Sequence, residues 1–526
     1  MTTAVLPRSG AATNDPYANK WIIALGVTLA AVMELIDTSI VNVALTQMSA
    51  NLGATLDQIA WVSTGYILAA VIVLPMTGWF SGYFGRRRYF TGSIIVFTIA
   101  SLLCGQSHSL TELVIWRVVQ GLGGGALIAT SQAILFESFP PSEQTLAAAI
   151  FGIGMMVGPA IGPTLGGVIV DRYTWPWIFY INIPFGIMAA LMTWAYVKDS
   201  AAQQRARRID VVGFALIAIG IGSLQFVLER GEHYDWFDSA LVTTMLVVSI
   251  VSIAAMVVWE LRVDEPVLDL RVLKDRSLAS GSLFAVALGA SLYGSVFALP
   301  IFIQQLLGYD AETAGWALFP GAIGAALAMA LIARFGSKLK DLRPVIVFGA
   351  ILLAYSMVLH SHFTLVSGRR DMLWPVLLRG FGTGCIFVPL ATSAMSHLKG
   401  RAMAQGAAIF NLTRQLGGSI GIAILATELT RRTAIHRADL VDDITRGAAA
   451  TQQRLHELAG GFMAHGFDLF TARQKALGVL DLMVDRQATM LAFRDIFMLV
   501  AFIVVASIPL IVLLRPREGA GLHMGE

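Results

Sequence analysis

Apolar stretches of about twenty residues recur along the whole chain with short polar connections between them, a rhythm that predicts a polytopic helical membrane protein. Fourteen stretches reach bilayer-crossing length. They begin near Trp21, Gln58, Phe90, Thr111, Thr145, Trp177, Val211, Ala240, Leu278, Ala311, Val345, Leu373, Ala404 and Phe493. One long polar stretch, 429–492, interrupts the pattern, with helical-looking patches such as 452–458. The first twenty residues are polar, and the first apolar stretch is too long for a signal-peptide core, so it is expected to be an uncleaved anchor.

Composition agrees with this picture. Of 526 residues, 56% are hydrophobic and 13% charged, with a mean hydropathy of +0.70. A soluble chain carries about a quarter charged residues. The net charge of +3 comes from basic residues scattered in connections, so no nucleic-acid partner is expected. Cys104 and Cys385 fall inside apolar spans and offer neither a disulfide framework nor metal-ligand spacing. No phosphate-cradling lysine loop supports nucleotide-driven pumping, and no filter motif suggests a channel.

The basic residues set an orientation. Arg86, Arg87 and Arg88 follow span 2; Lys198, Arg205, Arg207 and Arg208 follow span 6; Arg262, Arg271, Lys274 and Arg276 follow span 8. Arg334, Lys338, Lys340 and Arg343 follow span 10, Lys399 and Arg401 follow span 12, and Arg515 and Arg517 follow the last. All follow even-numbered spans, which predicts cytoplasmic termini; Arg369 and Arg370 are a local exception. The stretch 429–492 then lies outside despite its arginines, because long loops cross largely regardless of charge.

Candidate chemistry begins in span 1, where Glu34 and Asp37 are three residues apart and share a helix face. A carboxylate at bilayer depth costs roughly 2.5–3.5 kcal/mol on insertion scales, so it tends to face a cavity or a partner. The pair is the candidate proton-coupling site; the bland alternative is a carboxyl buried for packing or paired to an arginine. Arg117, Arg379 and Arg414 lie in or near glycine-rich spans. Each stays charged, and each is a candidate partner for the acids or for an anionic group on a substrate. Tyr66 and Gln120 join Arg379 and Arg414 as candidate substrate-binding residues. The aromatics Trp61, Tyr66, Trp79, Phe302, Trp316 and Phe319 could line an apolar pocket, although most aromatics in such proteins face lipid.

Span 5 reads GIGMMVGPAIGPTLGG from Gly152. Gly154, Gly158 and Gly162 recur at four-residue spacing, followed by Gly166 and Gly167. Small residues let helices approach closely, while Pro159 and Pro163 remove backbone donors and bend the helix. A smooth, bent helix is expected to let one half of the protein rock against the other. The sequence also repeats weakly. Span 4 reads RVVQGLGGGALI from Arg117 and span 12 reads RGFGTGCIFVPL from Arg379, while GYFGRRR from Gly82 is echoed by RFGSKLK from Arg334. The offset is eight spans, so two extra spans, 7 and 8, sit between two six-span halves.

Several ordered motifs now carry a resemblance. LIDTSIVNVAL from Leu35, GWFSGYFGRRR from Gly78, RVVQGLGGG from Arg117, GPAIGPTLGG from Gly158 and WIFYINIPFG from Trp177 resemble the major facilitator superfamily. The span count is similar to its fourteen-span drug:proton antiporter branch. IGIGSLQFVLERGEHYDWF from Ile219 and NLTRQLGGSIGIAI from Asn411 look like its EmrB-type exporters. The resemblance implies an all-α polytopic membrane protein, with two six-helix bundles, two additional transmembrane helices and alternating access. The expected divisions are an N-terminal cytoplasmic tail 1–20, a first bundle 21–197 and two linker helices within 198–277. A second bundle 278–514 carries the long periplasmic loop 429–492, and a cytoplasmic tail 515–526 follows. The resemblance assigns proton coupling to Arg117 beside Glu34 and Asp37, and gating to Gly78, Gly85, Arg86, Arg87 and Arg88. The family's usual loop acid falls at Gly82 here, so a latch built on that carboxylate is missing. The implied function is proton-coupled export of hydrophobic or amphipathic compounds across a bacterial inner membrane, with no cofactor. A periplasmic adaptor and an outer-membrane channel are implied partners. A proton symporter importing a nutrient is the alternative, against which the glycine-proline span speaks.

Overall fold

A computed structural model describes residues 17, 19–140, 143–199, 210–336, 339, 341–444 and 448–514. Several basic residues that set the orientation, Arg205, Arg207, Arg208, Lys338, Lys340, Arg515 and Arg517, lie outside them. The described residues are helical with short connections, and fourteen helices are long and apolar enough to cross a bilayer. Spans 1 to 6 are Lys20–Leu52, Asp57–Phe84, Arg86–Gly105, Leu110–Ser138, Gln144–Arg172 and Trp177–Tyr196. Spans 7 and 8 are Val211–Arg230 and Ala240–Arg262. Spans 9 to 14 are Arg276–Leu306, Thr313–Phe335, Arg343–His360, Arg369–Met395, Arg401–Asp442 and Leu469–Val512. The chain is a multi-pass membrane protein with two six-helix bundles, spans 1–6 and 9–14, and two additional helices.

Local chemistry marks several helix ends. Thr55 and Gln58 form a reciprocal capping box at the start of span 2. Ser109, Asp210, Asp275, Asp310 and Asp468 each accept from a backbone N–H of the helix that follows. Gly53 closes span 1 in the left-handed region at φ 62°. Outside the membrane, Thr313 donates to Asp310, and this bond holds the Asp310 carboxyl below its usual range.

The bundles meet along three seams. Spans 5 and 10 pack together. Thr145 meets Gly336 near one end, where a Cβ on that glycine would lie 3.0 Å away. Near the other end Thr164 fills the place of a Cβ on Gly315, with its hydroxyl only 1.9 Å from that point. On the face carrying the basic connections, the ends of spans 2 and 4 lean on span 13. There Asn411 Nδ2 donates to Gln132 Oε1 at 2.6 Å. Towards the opposite face span 7 bridges both bundles: Arg230 reaches Asp57 of span 2 at 2.5 Å, and Gln225 donates to Ser419 of span 13 at 2.8 Å. Span 8 packs chiefly on span 7 and turns Val247, Ile250 and Val251 outward, which suits lipid.

The stretch 429–492, expected as a loop, is largely helical. The helix of span 13 runs unbroken over Arg401–Asp443 and that of span 14 over Leu469–Ser507, with a short helix Ala449–Ala464 between them. Forty-three helical residues extend about 65 Å, twice the roughly 30 Å hydrocarbon core, so span 13 continues well beyond the bilayer. Ion pairs zip the two extensions together: Arg437 holds Asp481 at 2.7 Å and Asp485 at 2.5 Å, and Arg432 holds Asp495 at 3.3 Å.

Candidate functional site

The acid pair of span 1 sits at the centre of a buried polar network. Asp37 is fully buried, and its Oδ2 lies 2.6 Å from Arg117 Nη1, an ion pair with both side chains out of solvent. Gln120 Nε2 and Asn182 Nδ2 both donate to Asp37 Oδ1, at 2.9 and 2.8 Å. Arg117 also donates to Gln120 Oε1 at 2.8 Å and, through Nε, to the Val62 carbonyl at 3.0 Å. The guanidinium lies over the Tyr66 ring at 4.3 Å. Asn182 is itself held by Ser101 Oγ, which donates in turn to the Phe179 carbonyl. Five spans of the first bundle therefore converge on one carboxylate. Removing either member of such a buried pair costs about 3–5 kcal/mol, because the survivor keeps its charge without a partner.

Glu34 is different. It is 7% exposed, and Tyr66 donates to its Oε1 at 3.3 Å, while its Oε2 has no hydrogen-bond partner among the described residues. It has no salt bridge among the described residues, so of the two acids it is the one with acceptor capacity to spare.

Span 5 explains how span 1 is held. Its glycine face, expected to slide against the other half, packs on span 1 inside the first bundle. A Cβ on Gly154 would lie 2.8 Å from Thr28 and Val32, on Gly158 2.7 Å from the Leu35 Cβ, and on Gly166 2.8 Å from Ile40. Gly162 accommodates Ser39, and Gly167, next to Gly166 in sequence, is buried. Contact with the second bundle comes from other positions along the same helix, where Thr145, Gly152 and Thr164 meet span 10 and its end. Pro163 is half-buried within a helix that runs unbroken from Gln144 to Arg172. The side chain of Pro159 lies outside the described residues.

Between the bundles lies a cavity of about 100 Å³. Leu35, Met155 and Met156 line it from the first bundle; Tyr293, Arg379 and Arg414 are among its walls from the second. Arg414 donates to the Tyr293 hydroxyl at 2.8 Å and to Asn411 Oδ1 at 3.2 Å. Of the substrate-binding candidates, the structure puts Arg379 and Arg414 on this wall and Tyr66 and Gln120 in the acid network instead. None of the six aromatics expected in a pocket lines the cavity. Trp316 and Phe319 are exposed on the outside of span 10, and Phe302 and Trp79 are buried in helix packing.

The gating candidates gather on the basic face. Arg86 pairs with Glu137 at the end of span 4. Gly85 has φ +90°, a conformation that demands glycine, and Asp199 accepts from the Arg87 N–H beside it at 3.0 Å. Arg87 stacks on Trp194 at 4.8 Å, and Arg88 is exposed. Gly78 lies under Gln405 of span 13; a Cβ there would be 3.0 Å from the Gln405 amide. That amide also donates to the Val267 carbonyl at 3.1 Å and accepts from the Asp269 N–H at 3.2 Å. Sequence reasoning missed Asn182, Tyr293 and Gln405. The first carried a signal, a lone amide in the apolar run WIFYINIPFG; the others depend on partners remote in sequence.

The family model described as Major Facilitator Superfamily matches residues 27–422. The multidrug export protein EmrB of Escherichia coli K12 is 36% identical over 503 residues, spanning 95% of this chain and 96% of that one. The fatty acid resistance protein FarB of Neisseria gonorrhoeae is 34% identical over 504 residues, 95% of this chain and 97% of its own. A solved human organic anion transporter, MFSD10, superposes with a TM-score of 0.53 at 13% identity, over 92% of this chain and 99% of that one. With the two bundles and the buried acid network in place, the chain belongs to the Major Facilitator Superfamily.

Proposed function

We propose that the protein is a proton-coupled exporter of hydrophobic or amphipathic compounds, working by alternating access across a bacterial inner membrane with both termini in the cytoplasm. The observation that carries the reading is the buried Asp37–Arg117 pair on a helix that also lines the central cavity through Leu35. Protonation of Asp37 removes the charge that holds Arg117. Span 1 is then free to shift against spans 4 and 6, and Leu35 moves with it. Glu34 lies one turn away as the relay or second site. One proton moving down about 100 mV supplies about 2.3 kcal/mol, roughly fortyfold in cargo concentration. The drug-export and fatty-acid-resistance relatives support the export direction. The alternative, proton-coupled nutrient import, predicts cargo uptake with rather than against protons, and counterflow in everted vesicles separates the two.

Gating rests on the basic face. With Gly82 in place of an acid, the clamp there is Gln405, seated on Gly78 and tied to the backbone of the segment joining spans 8 and 9. Opening that face requires span 2 to leave span 13 and strips the Gln405 amide of its seat. Gln405→Ala is expected to favour the inward-open form. A reporter cysteine at Thr130, buried in the same half of span 4, would then label several-fold faster with a thiol reagent applied from the cytoplasmic side. Unchanged labelling would dismiss the clamp.

The helical extension beyond spans 13 and 14 is the proposed site of contact with a periplasmic adaptor, which in turn would engage an outer-membrane channel. Phe470 and Leu469 at its tip are 71% and 65% exposed, apolar surface placed far above the bilayer. Cysteines at the exposed positions Gln453 and Arg473 are expected to crosslink to the cognate adaptor in cells. Protection of both from impermeant thiol reagents in the periplasm would refute the outside placement, and labelling without any crosslink would refute the docking.

A further inference from the structure

We propose that a groove between spans 11 and 14, on the face opposite the basic connections, is a binding site for one anionic phospholipid, its phosphate held by Arg494 and its acyl chains laid along the two helices. The site is on the outside of the second bundle, so neither the cargo nor the direction of transport bears on it.

The first observation is height. Spans 11 and 14 pack together. At the basic face Arg343, the first residue of span 11, donates to the Leu514 carbonyl just past span 14 at 3.3 Å. Counted from that bond, His362 stands nineteen residues along one helix and its end, and Arg494 twenty residues back along the other. At about 1.5 Å per residue each is roughly 30 Å away, the thickness of the hydrocarbon core. His362 and Arg494 therefore stand together at headgroup level.

The second observation is an open groove with unmatched positive charge. Its volume is about 470 Å³, and His362, Thr364, Gln487 and Arg494 are among its polar lining, with no aspartate or glutamate. Arg494 is exposed there and has no ion pair among the described residues. The acid next to it, Asp495, is taken up by the extension of span 13, where it holds Arg432 at 3.3 Å and His436 at 2.9 Å. A guanidinium stays charged at any accessible pH, and its planar fork of donors suits a phosphate. His362 donates from Nδ1 to the Val358 carbonyl at 2.7 Å, so in the neutral ring Nε2 is an acceptor suited to a headgroup hydroxyl.

The third observation is apolar surface running from the groove into the bilayer. On span 14 Met498, Phe502 and Val505 follow Arg494 at helical spacing, all exposed. On span 11 Val358 of the groove wall is continued on the same side by the exposed Tyr355 and Ile351. Two acyl chains can lie there under a headgroup seated on Arg494. The apolar face alone would suit any lipid; the unmatched guanidinium at its top selects an anionic one. The ammonium of phosphatidylethanolamine would find no carboxylate in the groove, whereas phosphatidylglycerol brings a net negative charge and hydroxyls for His362.

The test is native mass spectrometry of the purified full chain, released from micelles holding equal amounts of phosphatidylglycerol and phosphatidylethanolamine. The wild type is expected to retain one phosphatidylglycerol with about tenfold preference. Arg494→Gln should bring the preference close to unity, while Arg494→Lys keeps the charge and should lose less than about threefold. Arg370→Gln removes an exposed arginine of the same face that does not line the groove, and it should match the wild type. Thermal unfolding without added lipid should be alike in all four proteins, and added phosphatidylglycerol should raise the midpoint of the wild type but not of Arg494→Gln. Equal retention of both lipids by the wild type would overturn the proposal, as would an undiminished preference in Arg494→Gln. Equal loss in Arg370→Gln would mean a general effect of charge, and displacement of the lipid by inorganic phosphate would mean an ion site without acyl-chain contacts; either result overturns it too.

Discussion

Asp37→Asn is expected to abolish proton-driven export while the protein still reaches the membrane. The asparagine oxygen can still accept from Gln120 and Asn182, which meet the same Oδ1 in the wild type, so the local packing has a way to survive. The other position becomes an amide N–H₂ facing Arg117 Nη1, donor against donor, at a contact of 2.6 Å. Arg117 then holds a buried charge without its counter-ion, and the site can no longer take up or release a proton. Stability should fall by about 3 kcal/mol or more, and export driven by an imposed pH gradient in proteoliposomes should fall to the protein-free background. Glu34→Gln removes a carboxyl that has no ion pair among the described residues, so it should reduce rather than abolish export and should leave stability little changed. Gradient-driven export by Asp37→Asn at wild-type rate would remove Asp37 from the mechanism.

The second large effect is expected from Gly158→Leu. A Cβ at this position would already sit 2.7 Å from the Leu35 Cβ, and Leu35 lies between the two acids in sequence and on the wall of the cavity. The rest of a leucine side chain has to push span 1 away from span 5. Overpacking of this kind costs about 1–3 kcal/mol and misplaces Asp37 relative to Arg117, so transport should fall to below about a tenth of wild type. Gly92→Leu is the matched control, because a Cβ there meets nothing within 4 Å. Near-normal transport by Gly158→Leu would show that the glycine face is filler, and equal loss in Gly92→Leu would show a general intolerance of larger residues.

Much of the architecture was legible in the sequence because a membrane forces it to be. Each span has to be apolar for about twenty residues, so spans announce themselves whatever they pack against. The exceptions are instructive. Span 13 continues as a polar helix past the bilayer, and a helix without an apolar stripe leaves little periodic signal; the partners of its Arg437 and Arg432 lie on a segment more than forty residues away. Charged residues in apolar spans were equally legible, which is why Glu34, Asp37 and Arg117 stood out. Their pairing was not legible from residue type, which left Arg117, Arg379 and Arg414 open as partners; the family resemblance singled out Arg117, and the geometry places it against Asp37. The glycine face of span 5 was visible as a close-packing surface. Which helix it meets depends on how the bundle is assembled, and the answer is span 1 in the same half rather than the opposite half. Tyr66 and Gln120 read as pocket residues by type, yet their polar ends are taken up by Glu34 and Asp37.

Proton release on cargo binding tests the role of Asp37 most directly. Purified protein in a lightly buffered detergent solution is mixed with a transported compound, and the pH change is read with an indicator dye. The account predicts a pulse of protons from the wild type, a smaller one from Glu34→Gln and none from Asp37→Asn at matched cargo occupancy. A pulse of wild-type size from Asp37→Asn would contradict it.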